Sequence, residues 1–480
     1  MDPETDVPNA TVSVFPVPTV QPPAPRPGFA SLTPEELLAA GKAMRDKVPR
    51  AQHAHWKAPT GRADPVKLLG TSDPERLPEL VPIRYGRMLV SPFTFYRGSA
   101  AVMAADLAKT PTTGIKVQAC GDCHLMNFGG FATPERNIIF DINDFDETLP
   151  APWEWDVKRL AASMVLAARS LDLPDTTGRE TAVACTRSYR KRLREYAAMT
   201  PLESWYERVT AEDFMETLPN ARQVLLRKRI KKATQQTGSE LDFPKLAQIT
   251  GGEARISDTP PLIFHPEVSR VPEFRGAIEK VFAAYQESLP KDRRSLLNQY
   301  RILDAAIKVV GIGSVGRRCW IALLMSSGNH PIFLQFKEAV ASVLEPYAGK
   351  SEFLHHGQRV VEGQRLTQPA SDIFLGWVTG ANGVQFYVRQ LRDAKIKPLV
   401  ETFGAEELLF YAKACGWVLA RAHSKAMDTS MIAGYLGGSD EFDDAIGKFA
   451  VAYANQAERD YAALKAAVRK GQIEVFRETA

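Results

Sequence analysis

The sequence lacks a long apolar run, an excess of either charge and a cysteine-rich framework. Its longest apolar stretches, such as residues 160–171, span about a dozen positions, whereas a membrane-spanning helix needs roughly 20. The 60 basic and 56 acidic residues leave a net charge of +4, which gives no general attraction to nucleic acid or to a membrane surface. Five cysteines, and no secretory signal at the N-terminus, favour a reducing compartment. These absences predict a cytoplasmic protein with neither a membrane nor a nucleic-acid partner.

What is present indicates a folded chain of more than one lobe. The 480 residues exceed one ordinary domain, and an apolar content of 45% is enough for a core. Residues 1–30 are the exception, because eight prolines among the first 28 positions predict a disordered tail. Thr33, Pro34 and Glu36 then have the spacing of an N-cap and capping box, which predicts a helix start. A basic run at 227–232 is typical of a solvated helix face.

A β-rich block interrupts an otherwise helical chain. Residues 307–310, 319–325 and 332–336 are short runs rich in β-branched and aromatic residues, as strands are. Two more strands are predicted at 374–377 and 384–388, with a glycine-containing hairpin turn between them. The predicted divisions of the ordered chain are a helical lobe at 31–299, a β-rich lobe at 300–400 and helices at 401–480 that complete the helical lobe.

The densest group of chemically useful side chains lies at 121–127. Asp122 and Asn127 stand five positions apart with His124 between them, and Asp144 follows a strand-like run. Phosphoryl transfer needs a carboxylate beside the attacking hydroxyl, and carboxylate or amide oxygens on Mg²⁺. A short loop followed by a carboxylate turn can supply both. Asp and Asn also cap turns in loops that have no catalytic role. The Asp–Asn spacing therefore indicates a catalytic site only in combination with the Asp144 turn.

Residues 120–124 also match the Cys-x-x-Cys-His pattern of covalent haem attachment. Haem attachment of this kind takes place in exported proteins, and the sequence shows no export signal. A four-thiolate zinc site would need a second cysteine pair, and the sequence offers none. We therefore expect neither haem nor zinc here.

A second group, at 311–316, is a Gly-x-Gly-x-x-Gly loop between two predicted strands. A dinucleotide-binding loop leads from strand to helix, whereas the kinase loop that covers ATP phosphates joins two strands. An ordinary glycine-rich hairpin is the alternative. Lys337, on the third strand, is placed to reach the phosphates and needs a glutamate partner, with Glu362 the first choice and Glu345 or Glu338 the others. The nucleotide-binding positions in the loop are Gly311, Gly313, Ser314 and Gly316.

Two further polar residues belong to this picture. Asp156 opens a helix just after the Asp144 turn and can brace the Asp122 loop by accepting hydrogen bonds from its backbone. Arg97, in the aromatic segment 91–98, is expected to contact phosphate or a site carboxylate, unless it forms a structural salt bridge.

Residues 91–98, 121–129 and 143–147 together resemble the hallmark segments of a bacterial family labelled as a domain of unknown function. The likeness covers roughly residues 60–460. That family is grouped with the protein-kinase-like proteins, and the loop at 121–127 is similar to the catalytic loop of aminoglycoside and choline phosphotransferases. The resemblance implies an α+β, two-lobed protein-kinase-like fold, with a small antiparallel β-rich lobe and a larger helical lobe.

The resemblance also implies roles for single residues. Asp122 would be the catalytic base, with His124 and Arg97 in the same site. Asn127 and Asp144 would hold Mg²⁺, and Asp141 would take the place of Asp144 if the strand register were shifted. ATP and Mg²⁺ are the cofactors implied.

The order of these segments differs from that of ordinary kinases, in which the glycine loop and lysine precede the catalytic loop. Circular permutation reconciles the two orders, since the helix at 405–423 resembles the one that leads into a catalytic loop. The end of that helix, near His423, is then expected close to the strand that enters Gly121.

The predicted activity is Mg²⁺- and ATP-dependent phosphotransfer to a hydroxyl of an unidentified small molecule or protein. The acceptor pocket is expected from the helical segments at 170–300. AMP transfer in the same cleft is one alternative. Non-catalytic nucleotide binding is another, because Asp146 stands where kinases have glycine.

Overall fold

The computed structural model describes residues 32–216, 223–224, 227–228, 230–231, 243–250, 253–270, 273–391, 395–426 and 429–478. The predicted tail and part of the basic run at 227–232 lie outside the described residues. The predicted helix start is confirmed, because Thr33 Oγ1 accepts a hydrogen bond from Glu36 N at 3.2 Å and Glu36 Oε2 accepts one from Thr33 N at 2.7 Å. The first helix therefore begins at Pro34.

The described chain is a mixed α+β structure with a larger helical part and small antiparallel sheets. Among the helices that can be described, none combines the length and the apolar character needed to cross a bilayer. The helices are α1 (Pro34–Lys47), α2 (Pro65–Gly70), α3 (Val81–Met88), α4 (Pro92–Gly98), α5 (Ala100–Leu107), α6 (Trp153–Ser170), α7 (Asp175–Ala197), α8 (Pro201–Tyr206), α9 (Ala211–Glu216), α10 (Glu273–Glu287), α11 (Lys291–Leu297), α12 (Glu345–Ala348), α13 (His356–Thr367), α14 (Ala405–Ala426), α15 (Thr429–Leu436) and α16 (Glu441–Arg469).

The strands form one larger sheet and three two-stranded ribbons. The strands are β1 (Lys116–Ala119), β2 (Phe128–Ala132), β3 (Ile138–Ile142), β4 (Leu149–Pro152), β5 (Ala247–Thr250), β6 (Glu253–Ile256), β7 (Ile263–Phe264), β8 (Tyr300–Lys308), β9 (Cys319–Ser326), β10 (Pro331–Glu338), β11 (Gly376–Thr379) and β12 (Gln385–Gln390). The larger sheet has the antiparallel order β11-β12-β10-β9-β8-β7, and the ribbons pair β1 with β4, β2 with β3 and β5 with β6.

The predicted β-rich block is confirmed with two corrections. The first predicted strand began near residue 307, but β8 runs from Tyr300 to Lys308. A bulge between Ile302 and Asp304 breaks the alternation that would have revealed its start. The sheet also begins before residue 300, because β7 pairs with β8. The hairpin turn between β11 and β12 is as expected, with Asn382 at φ 58°.

Helix α6 is the centre of the helical part. It is buried on all sides along residues 153–168 and packs against α7, α14 and α16. A helix enclosed by three others has little freedom to move. Because Asp156 and Arg159 lie in its first turns, α6 supplies a rigid base for the loop that follows β1.

Candidate active site

A cleft of about 870 Å³ collects residues that are far apart in the chain. Its walls come from the segment 68–101, the loop after β1, the turn after β3, the glycine loop between β8 and β9, the segment 338–346 after β10, the start of α13 and the turn between β11 and β12. The segment 170–300, expected to form the acceptor pocket, supplies no residue to this cleft within the described part of the chain, and its role in binding an acceptor stays a prediction. The predicted residues that line the cleft are Arg97, Asp122, His124, Asn127, Asp144, Gly311, Gly313 and Ser314.

The loop that carries Asp122 is braced as the sequence predicted. Asp156 accepts hydrogen bonds from Cys120 N at 2.6 Å and from Gly121 N at 3.0 Å. Gly121 has φ +85°, and a Cβ there would lie 2.3 Å from the carbonyl oxygen of Glu147. Only glycine therefore fits this bend.

Asp122 faces the cleft from one side and a buried cation from the other. Arg159 donates to its Oδ1 through Nε at 2.7 Å and also through Nη2. The side chain keeps 23% of its surface exposed. Burial nevertheless raises the pKa of Asp122 to about 7, against the opposing effect of Arg159. A carboxyl that ionises near neutrality is suited to accept a proton.

His124 is a neutral neighbour of this carboxylate. Its Nε2 lies 3.8 Å from Asp122 Oδ2, and its side chain is buried. Burial, reinforced by the charges of Arg97 and Arg159, lowers the pKa of His124 well below its usual value. His124 therefore adds shape and polarity to the site but no charge.

Asn127 and Asp144 come together beneath the Asp122 loop. Asn127 donates its Nδ2 to the carbonyl oxygen of Asp122 at 2.7 Å and accepts a backbone hydrogen bond from Asn143 N at 2.7 Å. The thiol of Cys120 donates to the carbonyl oxygen of Asp144 at 3.4 Å. Burial and the neighbouring Asp146 raise the pKa of Asp144. The amide oxygen of Asn127 and the Asp144 carboxylate are thus available as hard oxygen donors on one side of the cleft.

Asp141 has a structural role instead. Its carboxylate accepts two hydrogen bonds from Arg421 Nη2, both at 2.8 Å, and both side chains are almost fully buried. It does not line the cleft. The register of β3 against β2 places Asp141 opposite Gly129, so Asp144 rather than Asp141 reaches the site.

Lys337 is held by the Asp144 turn itself. Its Nζ forms an ion pair with Asp146 Oδ2 and lies 3.7 Å from Asp144 Oδ1. Asp146 also accepts hydrogen bonds from Tyr387 OH at 2.7 Å and from Ser314 Oγ at 3.4 Å. Burial alone would raise the pKa of Asp146, but Lys337 and Tyr387 lower it to about 2. Asp146 is therefore a permanent anion that joins the lysine to the glycine loop.

The expected pairing of Lys337 with Glu362 is wrong. Glu362 Oε1 accepts a hydrogen bond from Arg365 Nη1 at 3.1 Å, one helical turn away. Helix α13 presents Arg359 to the turn instead, and Arg359 Nη2 donates to the carbonyl oxygen of Asp146 at 2.8 Å. The alternative partners are engaged elsewhere, Glu338 with Arg318 and Glu345 with the backbone of Ser342. A buried arginine facing this turn leaves no place for a glutamate.

The glycine loop is fastened to the N-terminal helices. Gly311 and Gly316 adopt φ of +72° and +88°, in the left-handed region that glycine occupies without strain. Arg76 Nη1 donates to the carbonyl oxygen of Gly313 at 2.9 Å, and Arg87 Nη1 donates to that of Gly311 at 2.7 Å. These bonds fix the loop over the cleft.

A family model described as an uncharacterized protein conserved in bacteria (DUF2252) matches residues 76–467. The chain belongs to this family. The chain has no match among curated proteins or among solved structures. Within the DUF2252 match lie the three segments singled out from the sequence, and each supplies lining residues to the cleft: Arg97 and Gly98, then Asp122, His124 and Asn127, then Asp144, Asp146 and Glu147.

In this DUF2252 chain, the end of α14 meets the Asp122 loop as expected. His423 Nε2 lies 3.3 Å from Asp156 Oδ2, the same carboxylate that accepts the amides of Cys120 and Gly121. The expected proximity of His423 to Gly121 is confirmed.

Sequence reasoning missed two cations of the site. Arg159, which pairs with Asp122, lies three positions after Asp156 and so on the same face of α6, a spacing that could have revealed it. Arg389 lies two positions after Tyr387 on β12 and hence on the same face of the strand. It donates to Gln335 Oε1 at 3.1 Å and to the carbonyl oxygen of Asn143 at 3.2 Å.

Proposed function

We propose that the protein is a Mg²⁺- and ATP-dependent phosphotransferase with a circularly permuted, two-lobed protein-kinase-like fold. One observation carries the proposal: a single cleft combines Asp122, Asn127 and Asp144 with a glycine hairpin, and the buried Lys337 pairs with Asp146 in its wall. These parts come from segments almost 200 positions apart in the chain. Phosphoryl transfer depends mainly on such positioning and on charge neutralisation.

The glycine hairpin and Lys337 suit the nucleotide. Backbone N–H groups of a glycine loop can approach phosphate oxygens closely. Lys337 carries its charge at neutral pH, because Asp144 and Asp146 raise its pKa well above the usual value in spite of burial. Its position on the third strand, after the glycine hairpin, is that of the kinase lysine that binds the α- and β-phosphates.

The oxygen donors of Asn127 and Asp144 suit Mg²⁺. No cluster of three or more His, Cys, Asp or Glu side chains occurs in the described residues. Mg²⁺ needs none, since it usually binds one or two protein oxygens together with waters and phosphates. Bound there, it would neutralise charge on the phosphate oxygens.

Asp122 suits the role of general base. Its side chain lines the cleft, and Arg159 fixes its Oδ1. Asp122 accepts the proton of the acceptor hydroxyl as that oxygen forms its bond to the γ-phosphorus. The bond from this phosphorus to the β–γ bridging oxygen breaks, and ADP leaves with the electron pair. Such a base contributes about 10²–10⁴-fold to the rate.

The contact between α14 and the Asp122 loop supports permutation. In an unpermuted kinase, the helix before the catalytic loop is joined to it directly. Here the contact between His423 and Asp156 brings the end of α14 to the same loop. The end of α14 and the Asp122 loop are about 300 positions apart in the sequence.

The test is nucleotide binding followed by label transfer. We expect MgATP to raise the melting temperature of the full chain, and Lys337→Ala to abolish the rise measured against its own melting point. Lys280→Ala, at an exposed position of α10, is the matched control. With γ-labelled ATP, the label should then be found in inorganic phosphate, after transfer to water, or on an acceptor. Transfer of α-label would establish AMP transfer instead, and binding without transfer would indicate a non-catalytic nucleotide-binding protein. No Mg²⁺-dependent shift in the unaltered chain would refute the proposal.

A further inference from the structure

Among the described residues, Arg97 is the arginine of the cleft that forms neither an ion pair nor a side-chain hydrogen bond; its guanidinium lies over the Phe93 ring, 6.0 Å from the centroid. It lines the cleft, and its buried Nε has no hydrogen-bond partner among the described residues. Within the same residues, no carboxylate lies at ion-pair distance from it. The other lining arginines are engaged, Arg84 with Asp73, Arg317 with Glu75, Arg318 with Glu338 and Arg76 with carbonyl oxygens of the glycine loop.

Arg97 is held beside the proposed base. Arg159 Nη2 donates to Asp122 Oδ1 and, at 3.1 Å, to the carbonyl oxygen of Tyr96, the residue before Arg97. Tyr96 OH donates in return to the carbonyl oxygen of Arg159 at 2.7 Å. One guanidinium thus fastens α4 to the Asp122 loop, and Arg97 and Asp122 line the same cleft.

Among the described residues, six carboxylates line the cleft, and all but Asp144 are in close contact with a cation or a backbone N–H. Asp122 pairs with Arg159 and Asp146 with Lys337, while Glu147 accepts from Val343 N at 2.7 Å. Glu75 and Glu338 pair with arginines. No Phe, Tyr or Trp lines the cleft in the described part of the chain. A cationic acceptor would need a free carboxylate or an aromatic cage, and the one carboxylate left, Asp144, is the proposed Mg²⁺ ligand.

We propose that the acceptor is a hydroxyl compound that also carries an anionic group, a carboxylate or a phosphate, and that Arg97 binds this group beside Asp122. This inference rests on the proposed phosphotransferase function. It departs from the aminoglycoside and choline enzymes that the catalytic loop resembles, because their acceptors are cations. Guanidinium groups bind carboxylate and phosphate through two parallel hydrogen bonds, which also fixes the orientation of the ligand.

The experiment measures binding to the full chain in Mg²⁺ and a non-hydrolysable ATP analogue. The probes are inorganic phosphate, glycerate, glycerol and choline, titrated by calorimetry. We expect phosphate and glycerate to bind, and glycerol and choline not to bind. Arg97→Gln should weaken the anions about 10- to 100-fold, as the loss of a charge-assisted pair predicts, while Arg97→Lys recovers part of the affinity. Arg179→Gln, on an exposed part of α7, is the control and should change nothing.

Three results would overturn the inference: choline binding, anion binding that Arg97→Gln leaves intact, or an equal loss of affinity for the ATP analogue in that variant. The last would mean that Arg97 contacts the nucleotide. Failure of the unaltered chain to bind the analogue would instead overturn the phosphotransferase proposal. The same titrations on nucleotide-free protein would then still decide whether Arg97 binds anions.

Discussion

Lys337 forms its closest ion pair with Asp146, two positions after Asp144 in the turn that follows β3. In this arrangement the proposed metal ligand and the lysine anchor share one turn. The turn is tied to α13 through Arg359 and to the glycine loop through Ser314. Nucleotide binding is therefore expected to depend on this turn rather than on a helix glutamate.

We expect Asp146→Asn to weaken MgATP binding at least tenfold, whereas Glu362→Gln leaves it unchanged. The reason is that Lys337 loses its anchor in the first variant and keeps it in the second. Removing one partner of a buried ion pair costs about 3–5 kcal/mol, and the 27% exposure of Asp146 puts the loss near or below the lower bound. Calorimetric titration and urea unfolding measure the two effects. Equal ATP affinity in both variants would contradict the anchoring role.

We expect the rate of ATP hydrolysis, in which water takes the place of the acceptor, to rise with pH and to level off above about pH 7. Asp122 must be ionised to act as a base, and its pKa is raised to about 7 by burial. Below that pH the rate should fall about tenfold per unit. Asp146 stays ionised throughout, since its pKa is about 2. Initial rates of ATP hydrolysis between pH 5.5 and 9 measure this rise, the acidic limb of the pH–rate profile.

The titration of Asp122 would not produce the same rise in rate through its effect on folding. The folded chain holds the Asp122 proton more tightly than the unfolded chain, so this group favours folding less as pH rises from about 4 to 7. Stability and activity therefore respond to it in opposite directions. Asp122→Asn should bind MgATP, lose about 10²–10⁴-fold in rate and lack the limb. A limb that persists in this variant would assign the titration to another group.

Asp141→Asn should destabilise the fold without removing Mg²⁺-dependent ATP binding. The pair with Arg421 is almost completely buried, and breaking such a pair costs about 3–5 kcal/mol. Asp175→Asn, at an ion pair in which Asp175 is 67% exposed, should change stability by less than about 1 kcal/mol. Urea unfolding compares the two variants. Loss of the Mg²⁺ dependence of ATP binding in Asp141→Asn would indicate that Asp141 is a metal ligand.

Gly121→Ala should disable the site while Gly114→Ala does not. Both glycines have similar positive φ, +85° and +82°, so the backbone strain is matched. A Cβ at position 121 would lie 2.3 Å from Glu147 O, whereas one at 114 meets nothing within 4 Å. The melting temperatures and ATP hydrolysis rates of the two variants distinguish the steric clash with Glu147 from the backbone strain of a positive φ. Equal effects would show that the close approach to Glu147 is unimportant.

Local patterns predicted much of the cleft. The cap at Thr33, the strands at β9 to β12, the glycine hairpin and the brace from Asp156 all depend on residues close in sequence, where propensity and spacing are informative. The partners of charged side chains were harder to predict. Glu362 had the right spacing for Lys337, but its orientation on α13 and the burial of Arg359 could not be read from spacing alone.

The sequence by itself determined the chemical groups available and the local frames that carry them: an Asp–Asn loop, a carboxylate turn, a glycine hairpin and a lysine on the next strand. The tertiary structure decided which of them meet. It brought Asp144 rather than Asp141 to the cleft, paired Lys337 with Asp146, and placed residues of the segment 68–101 in the cleft wall. The physical reason is that ion pairs, pKa shifts and cleft walls depend on burial and on contacts between distant segments, which no local pattern contains.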